Sequence, residues 1–134
     1  MSIKQDKPRS VPPGFDDQLN NIAIDFDGVI HNFDKGWNDG TCYGEPIPGS
    51  IEAIKQLSKH YKIIIFTAKA KPNRPLVNNK TGIELVNEWL KKYGIYEYIE
   101  KVTSEKPHAK IYIDDNGYRF ENWEDTIKDI KRLI

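Results

Sequence analysis

The residues best suited to chemistry in this chain are Asp25 and Asp27, which follow the apolar run Ile22-Ala23-Ile24 and precede Gly28. The run reads as a buried strand, so two carboxylates stand where that strand gives way to a loop. Buried carboxylates need a bound cation, a donor or a shifted proton. Matching groups recur beside later apolar runs: Thr67 after Ile63–Phe66, Lys106 in the loop before Ile111–Ile113, and Asp114 with Asp115 after it. Together these types suit phosphoryl transfer. A carboxylate can attack phosphorus and split hydrolysis into two easier displacements, and Asp25 is the candidate nucleophile. Its attack on an anionic phosphate needs a divalent cation, and Mg2+ suits one or two carboxylates with water and phosphate. Asp25 and Asp114 are the candidates to hold it. Asp27 stands beside the nucleophile as the candidate acid and base. The Thr67 hydroxyl could donate to a phosphate oxygen, and the Lys106 ammonium could offset the carboxylates. Lys110 competes with Lys106, which the Lys-Pro context and the eight-residue distance to Asp114 favour.

The elements that must position these groups alternate along the chain. After the first strand, residues 31–49 form a long loop or small hairpin rich in Gly, Asn, Asp and aromatics. His31, Trp37 and Tyr43 in that loop either contact a leaving group or pack the loop onto the sheet. A helix follows from Pro48-Gly49-Ser50, with Ser50 as its cap and Ile51, Ile54 and Leu57 on one face, ending near His60. The run through Ile63–Phe66 is a second strand, which makes a right-handed parallel unit with the first. Residues 69–82 form a loop carrying Lys69, Lys71, Arg74 and Lys80 without an acid, either a local phosphate-binding patch or a solvated loop. A helix with Ile83, Val86, Leu90 and Tyr93 on its apolar face stops at Gly94. Strands near Ile99–Val102 and at Ile111–Ile113, then a helix spacing Phe120, Trp123, Ile127, Ile130 and Leu133, complete the pattern. Trp89 and Trp123 read as core or interface. The predicted fold is a single Rossmann-like three-layer α/β/α sandwich with a mainly parallel sheet of about four strands.

The chain has 134 residues, enough for one domain with a modest core. Residues 1–20 read as an irregular N-terminal arm and 21–134 as the folded domain. Lysine plus arginine and aspartate plus glutamate each number 20, so there is no global basic field. A nucleic-acid partner is therefore not favoured, and any phosphate affinity must be local. Cys42 is the single cysteine, which excludes an internal disulfide and a cysteine-built zinc site. It reads as an inert thiol. With no apolar leader and no apolar stretch long enough to span a bilayer, the sequence reads as a cytoplasmic, soluble protein without a membrane partner.

Four of these segments, taken in order, resemble the haloacid dehalogenase superfamily of phosphatases and phosphotransferases. Asp25–Val29 looks like its first motif, Ile63–Lys69 its second, Lys106 in EKPHAK its third, and IYIDD at 111–115 the double-aspartate form of its fourth. The resemblance covers residues 22 to about 120. It implies Mg2+ as cofactor, Asp25 as nucleophile and Asp27 as acid and base. It also implies that the Asp27 main-chain carbonyl and Asp114 join Asp25 at the metal, with Asp115 in its outer shell. Thr67, Ala68, Lys69 and Lys106 are then the expected contacts of the substrate phosphate. The Asp two positions after the nucleophile favours a phosphatase. The short spacings leave no room for a cap domain, which implies an open site or one covered by a neighbouring subunit in a homo-oligomer. The expected activity is Mg2+-dependent hydrolysis of a phosphomonoester through an aspartyl-phosphate. A phosphotransferase of the same superfamily and a non-catalytic metal- or phosphate-binding scaffold are the alternatives.

Overall fold

In the computed structural model, described here for residues 20–105, 107, 109–114 and 120–131, four strands form one parallel sheet. The strands are β1 (Asn21–Asp25), β2 (Lys62–Phe66), β3 (Ile99–Thr103) and β4 (Ile111–Ile113), in the spatial order β3-β2-β1-β4. Helices α1 (Ser50–Leu57) and α2 (Gly82–Lys92) make the crossovers from β1 to β2 and from β2 to β3, and α3 (Trp123–Lys131) follows β4. The result is a small Rossmann-like α/β fold with no cap domain among the described residues. Residues 1–19 of the expected N-terminal arm (1–20) and the expected Leu133 of the closing helix lie outside them.

The sheet forms because β1 and β2 are short, β-branched and apolar on both faces. Ile22 pairs with Ile63 and Ile111, and Ile24 with Ile65 and Ile113. These six isoleucines stack in two rows, each at most 3 % exposed. They share one core cluster with Ala53, Ile54 and Leu57 of α1, Val86, Trp89 and Leu90 of α2, and Trp123 and Ile130 of α3. The opposite face presents Ala23 and Ile64, also buried. From β1 the chain steps to β2 and β3 on one side and then returns to β4 on the other. Connections diverge between β1 and β4, the switch point at which ligands of open parallel sheets bind beyond the carboxyl ends of the strands.

Two local details differ from the sequence expectations, and a third, the cap of α2, was not among them. Ser50 is the first residue of α1 rather than its cap; Gly49 caps it with φ of 86°, and the buried Ser50 hydroxyl turns back to the Ile30 carbonyl at 3.5 Å. Helix α2 has a full capping box, in which the Thr81 hydroxyl accepts from the Glu84 N–H while the Glu84 carboxylate accepts from the Thr81 N–H. The Thr-x-x-Glu spacing carried that signal. Ile83 is 39 % exposed, and Trp89 takes the expected core place instead. The first turn of α2 runs out beside the outermost strand β3, and Ile83 there lines an open cavity of about 390 Å³ together with Tyr96 and Val102.

Gly82 sets the seat of α2. A Cβ there would lie 1.4 Å from the Lys69 carbonyl oxygen, so only glycine lets the helix start against that segment. The Gly82→Ala protein is expected to lose at least about 2 kcal/mol of stability, measured by urea unfolding, because neither backbone can yield without moving the other.

Candidate active site

The rim at the carboxyl ends of β1, β2 and β4 gathers Asp25, Asp27, Thr67 and Asp114. Asp25 ends β1, and Asp114 directly follows Ile113, the partner of Ile24. The two carboxylate-bearing positions are therefore in register on adjacent strands at the switch point, where parallel strands stand about 4.8 Å apart. Asp114 is 5 % exposed. Beyond Asp25 the chain makes one tight turn, with the Phe26 carbonyl accepting from the Ile30 and His31 N–H groups at 2.9 Å. Phe26 is driven into the core, where its ring stacks on His31 and meets Trp89 edge-on. Asp27 is left facing the rim from the opposite side of the chain.

The Asp27 carboxylate is held by three side chains. Lys69 Nζ donates to Oδ1 at 3.0 Å, His31 Nδ1 donates to the same oxygen at 3.1 Å, and the Thr67 hydroxyl donates to Oδ2 at 3.3 Å. The Gly44 N–H donates to His31 Nε2 at 2.9 Å, so the ring proton resides on Nδ1, the nitrogen facing Asp27. Burial alone would raise the Asp27 pKa. The hydrogen bonds of His31 and Lys69 and the charge of Lys69 outweigh it and hold the carboxyl below its ordinary value of 3.8. Thr67 also caps the one-turn helix Ala68–Ala70 by accepting from the Lys69 N–H at 3.2 Å.

Lys69 sits in a closed box. Its side chain is fully buried, with Nζ 4.7 Å from the ring centre of Phe33 and 4.8 Å from that of Trp37. Arg74 lies 4.8 Å from the same Trp37 ring and donates to the carbonyls of Lys69 and Gly40. The two long loops of the sequence are thereby clasped over Asp27. Of the four basic residues in the loop 69–82, Lys69 and Arg74 turn inward, whereas Lys71 is exposed and Lys80 forms an exposed pair with Glu88, so the loop is solvated only in part. The ammonium of Lys69 meets Asp27 and two aromatic rings, whereas the expected role had it touch phosphate directly.

The remaining site expectations separate cleanly. Ala68 is exposed at the rim, beside the buried Thr67 and Lys69. Lys106 and Asp115 lie outside the described residues. Lys110, the rival to Lys106, stands at the opposite end of the sheet, where its N–H donates to the Asn21 carbonyl at the start of β1. The Asp27 carboxylate is committed to cationic and neutral donors, so any share it takes in holding a metal falls to its main-chain carbonyl. Among the described residues no three His, Cys, Asp or Glu side chains group as a metal-holding set. A Mg2+ site of two carboxylates, a main-chain carbonyl and water does not require one. Cys42 is half-buried and its thiol is pushed up to about 12 by burial, which leaves it unreactive. His31 as a partner of Asp27 was not foreseen. The only sequence signal was its place four residues after Asp27, which acquires meaning once the intervening turn is known.

Compared with known protein families, with curated proteins and with solved structures, the chain matches none. Among the described residues no helix is long and apolar enough to cross a membrane.

Removing the Asp27 carboxylate strands a buried ammonium. Asp27→Ala should lose about 3–5 kcal/mol in denaturant unfolding, and adding Lys69→Met should recover most of the loss. The lowered folded pKa also fixes a sign. The stability contributed by Asp27 is complete above the ordinary value of 3.8 and is lost as pH falls through the lower folded value. Acid titration of unfolding should lose this slope in the double variant.

Proposed function

We propose that this protein is a Mg2+-dependent phosphomonoesterase that works through an aspartyl-phosphate on Asp25, as the resemblance to the haloacid dehalogenase superfamily implies. The observation that carries the reading is the register of β1 and β4, which brings Asp25 and Asp114 together at the switch point of the sheet, beside Asp27. Asp25 and Asp114 offer carboxylate oxygens at these two strand ends, which fits a hard cation. Asp25, Asp114 and the Asp27 carbonyl would hold Mg2+, with Asp115 behind them; when bound it offsets the charge of the phosphate.

The chain's own groups divide the work. A carboxylate oxygen of Asp25 attacks phosphorus, and the bond to the ester oxygen breaks. Asp27 donates a proton to that leaving oxygen, then takes one from the water that attacks phospho-Asp25 and releases inorganic phosphate. In the free protein Lys69 and His31 hold Asp27 ionised. An incoming phosphate places negative charge beside it and opposes that lowering, so the acid form arises with substrate bound. Thr67 and Lys69 fix where the carboxylate points, and this placement is what a proton transfer in two directions demands. Lys106 supplies further positive charge by the same resemblance.

Hydrolysis of 4-nitrophenyl phosphate should require Mg2+, stop on chelation with EDTA and return when Mg2+ is restored. Asp25→Asn should lower kcat by at least about a thousandfold, since it removes the nucleophile on which both steps depend. A rate that survives this substitution overturns the aspartyl-phosphate mechanism. Product analysis with added alcohols separates transfer to an acceptor from hydrolysis.

A further inference from the structure

Three aromatic side chains of the first long loop, His31, Trp37 and Tyr43, could have met a leaving group, and the structure separates them. His31 is fully buried between Phe26, Tyr43 and Trp89 and spends both ring nitrogens. The Tyr43 hydroxyl donates to the Gly36 carbonyl at 2.7 Å and accepts from the Lys35 N–H at 3.0 Å. Trp37 alone is open, with 45 % of its surface exposed.

Its exposure is built rather than incidental. The tip that carries it alternates left-handed residues, Gly36 at φ 65°, Asn38 at 50° and Gly40 at 81°, a backbone that ordinary side chains avoid. Tyr43 braces the Gly36 carbonyl from one side and Arg74 braces the Gly40 carbonyl at 3.3 Å from the other. A loop held this firmly presents a large apolar ring to solvent beside the rim. One ammonium nitrogen links that ring to the chemistry: Lys69 Nζ is 4.8 Å from the Trp37 ring centre and 3.0 Å from Asp27 Oδ1. On the proposed mechanism Asp27 protonates the leaving oxygen, and Trp37 is the exposed aromatic of the loop packed against the same ammonium.

The geometry points to Trp37 as the specificity-determining residue for a phosphomonoester whose leaving group carries a flat aromatic ring, which packs on the part of the indole that Lys69 and Arg74 leave exposed. This inference rests on the phosphatase reading and names its substrate class. Stacking of a base on an aromatic side chain is strong enough to change affinity about tenfold and is tolerant of ring identity. The two sources of such a ring are a nucleoside monophosphate and a simple aryl phosphate.

The test compares kcat/KM for adenosine 5′-monophosphate and 4-nitrophenyl phosphate, each divided by the value for glycerol 3-phosphate, in the wild type, Trp37→Ala and Trp37→Phe. The ratio for at least one aromatic ester should fall about tenfold in Trp37→Ala, through KM, and return in Trp37→Phe. The ester that loses more identifies the source of the ring. Damage to the Lys69 box would lower all three substrates alike, and an unchanged ratio under such a loss overturns the proposal. Calorimetry on the full-length Asp25→Asn protein with Mg2+ reads the stacking without turnover. Adenosine 5′-monophosphate or 4-nitrophenyl phosphate should bind about tenfold tighter than ribose 5-phosphate, and Trp37→Ala should erase the difference. Equal affinities also overturn the proposal, whereas a binding difference in a protein that hydrolyses nothing would sink the phosphatase reading alone.

Discussion

The ion pair between Asp27 and Lys69 is the interaction on which the rest of the site depends. A lysine with no solvent exposure is among the costliest groups a protein can bury, and it persists only where a carboxylate and further contacts compensate it. Here the carboxylate comes from the turn after β1 and the ammonium from the segment after β2, so the pair ties together two strand ends that the sheet already sets side by side. Phe33 and Trp37, a few residues beyond Asp27, add their ring faces to the same ammonium. Two stretches far apart in sequence thus converge on a single charge.

That convergence explains why the loops are shaped as they are. Gly82 brings the start of α2 against the Lys69 carbonyl, and Arg74 grips that carbonyl and the one at Gly40. Trp89 donates from the core to the Gly44 carbonyl at 2.8 Å, while the Gly44 N–H fixes the tautomer of His31. Each of these contacts ends within one or two side chains of Asp27. Under the proposed phosphatase reading, a site with no cap domain among the described residues has few other means of holding a proton-transfer group still. Loops that lock on each other supply that rigidity from within the domain.

Much of the fold was legible because hydrophobic periodicity and β-branching act locally. The apolar runs at β1, β2 and β4 and the helical spacing of Val86 with Leu90 each report their own burial. The failures have equally local causes. Ser50 has the side chain of a cap, but the left-handed Gly49 before it turns the chain so that Ser50 enters the helix. Ile83 has the right spacing, but its turn of the helix lies at the sheet's outer edge, where the described residues leave it 39 % exposed. Lys69 and Arg74 read as solvated charges because lysine and arginine usually are; only the arrival of Asp27, Phe33 and Trp37 from elsewhere makes burial tolerable.

The sequence by itself determined the strand-helix alternation, the carboxylates at the ends of β1 and β4, and the chemistry those groups suit, since residue type and short-range spacing carry that information. Tertiary structure decided how they are deployed. The order β3-β2-β1-β4 made neighbours of Asp25 and Asp114, which stand 89 residues apart, and the packing of two loops made Lys69 the buried partner of Asp27. Hydrogen bonds and ion pairs depend on distances of about 3 Å between groups remote in the chain. No local pattern encodes such distances, and the folded sheet does.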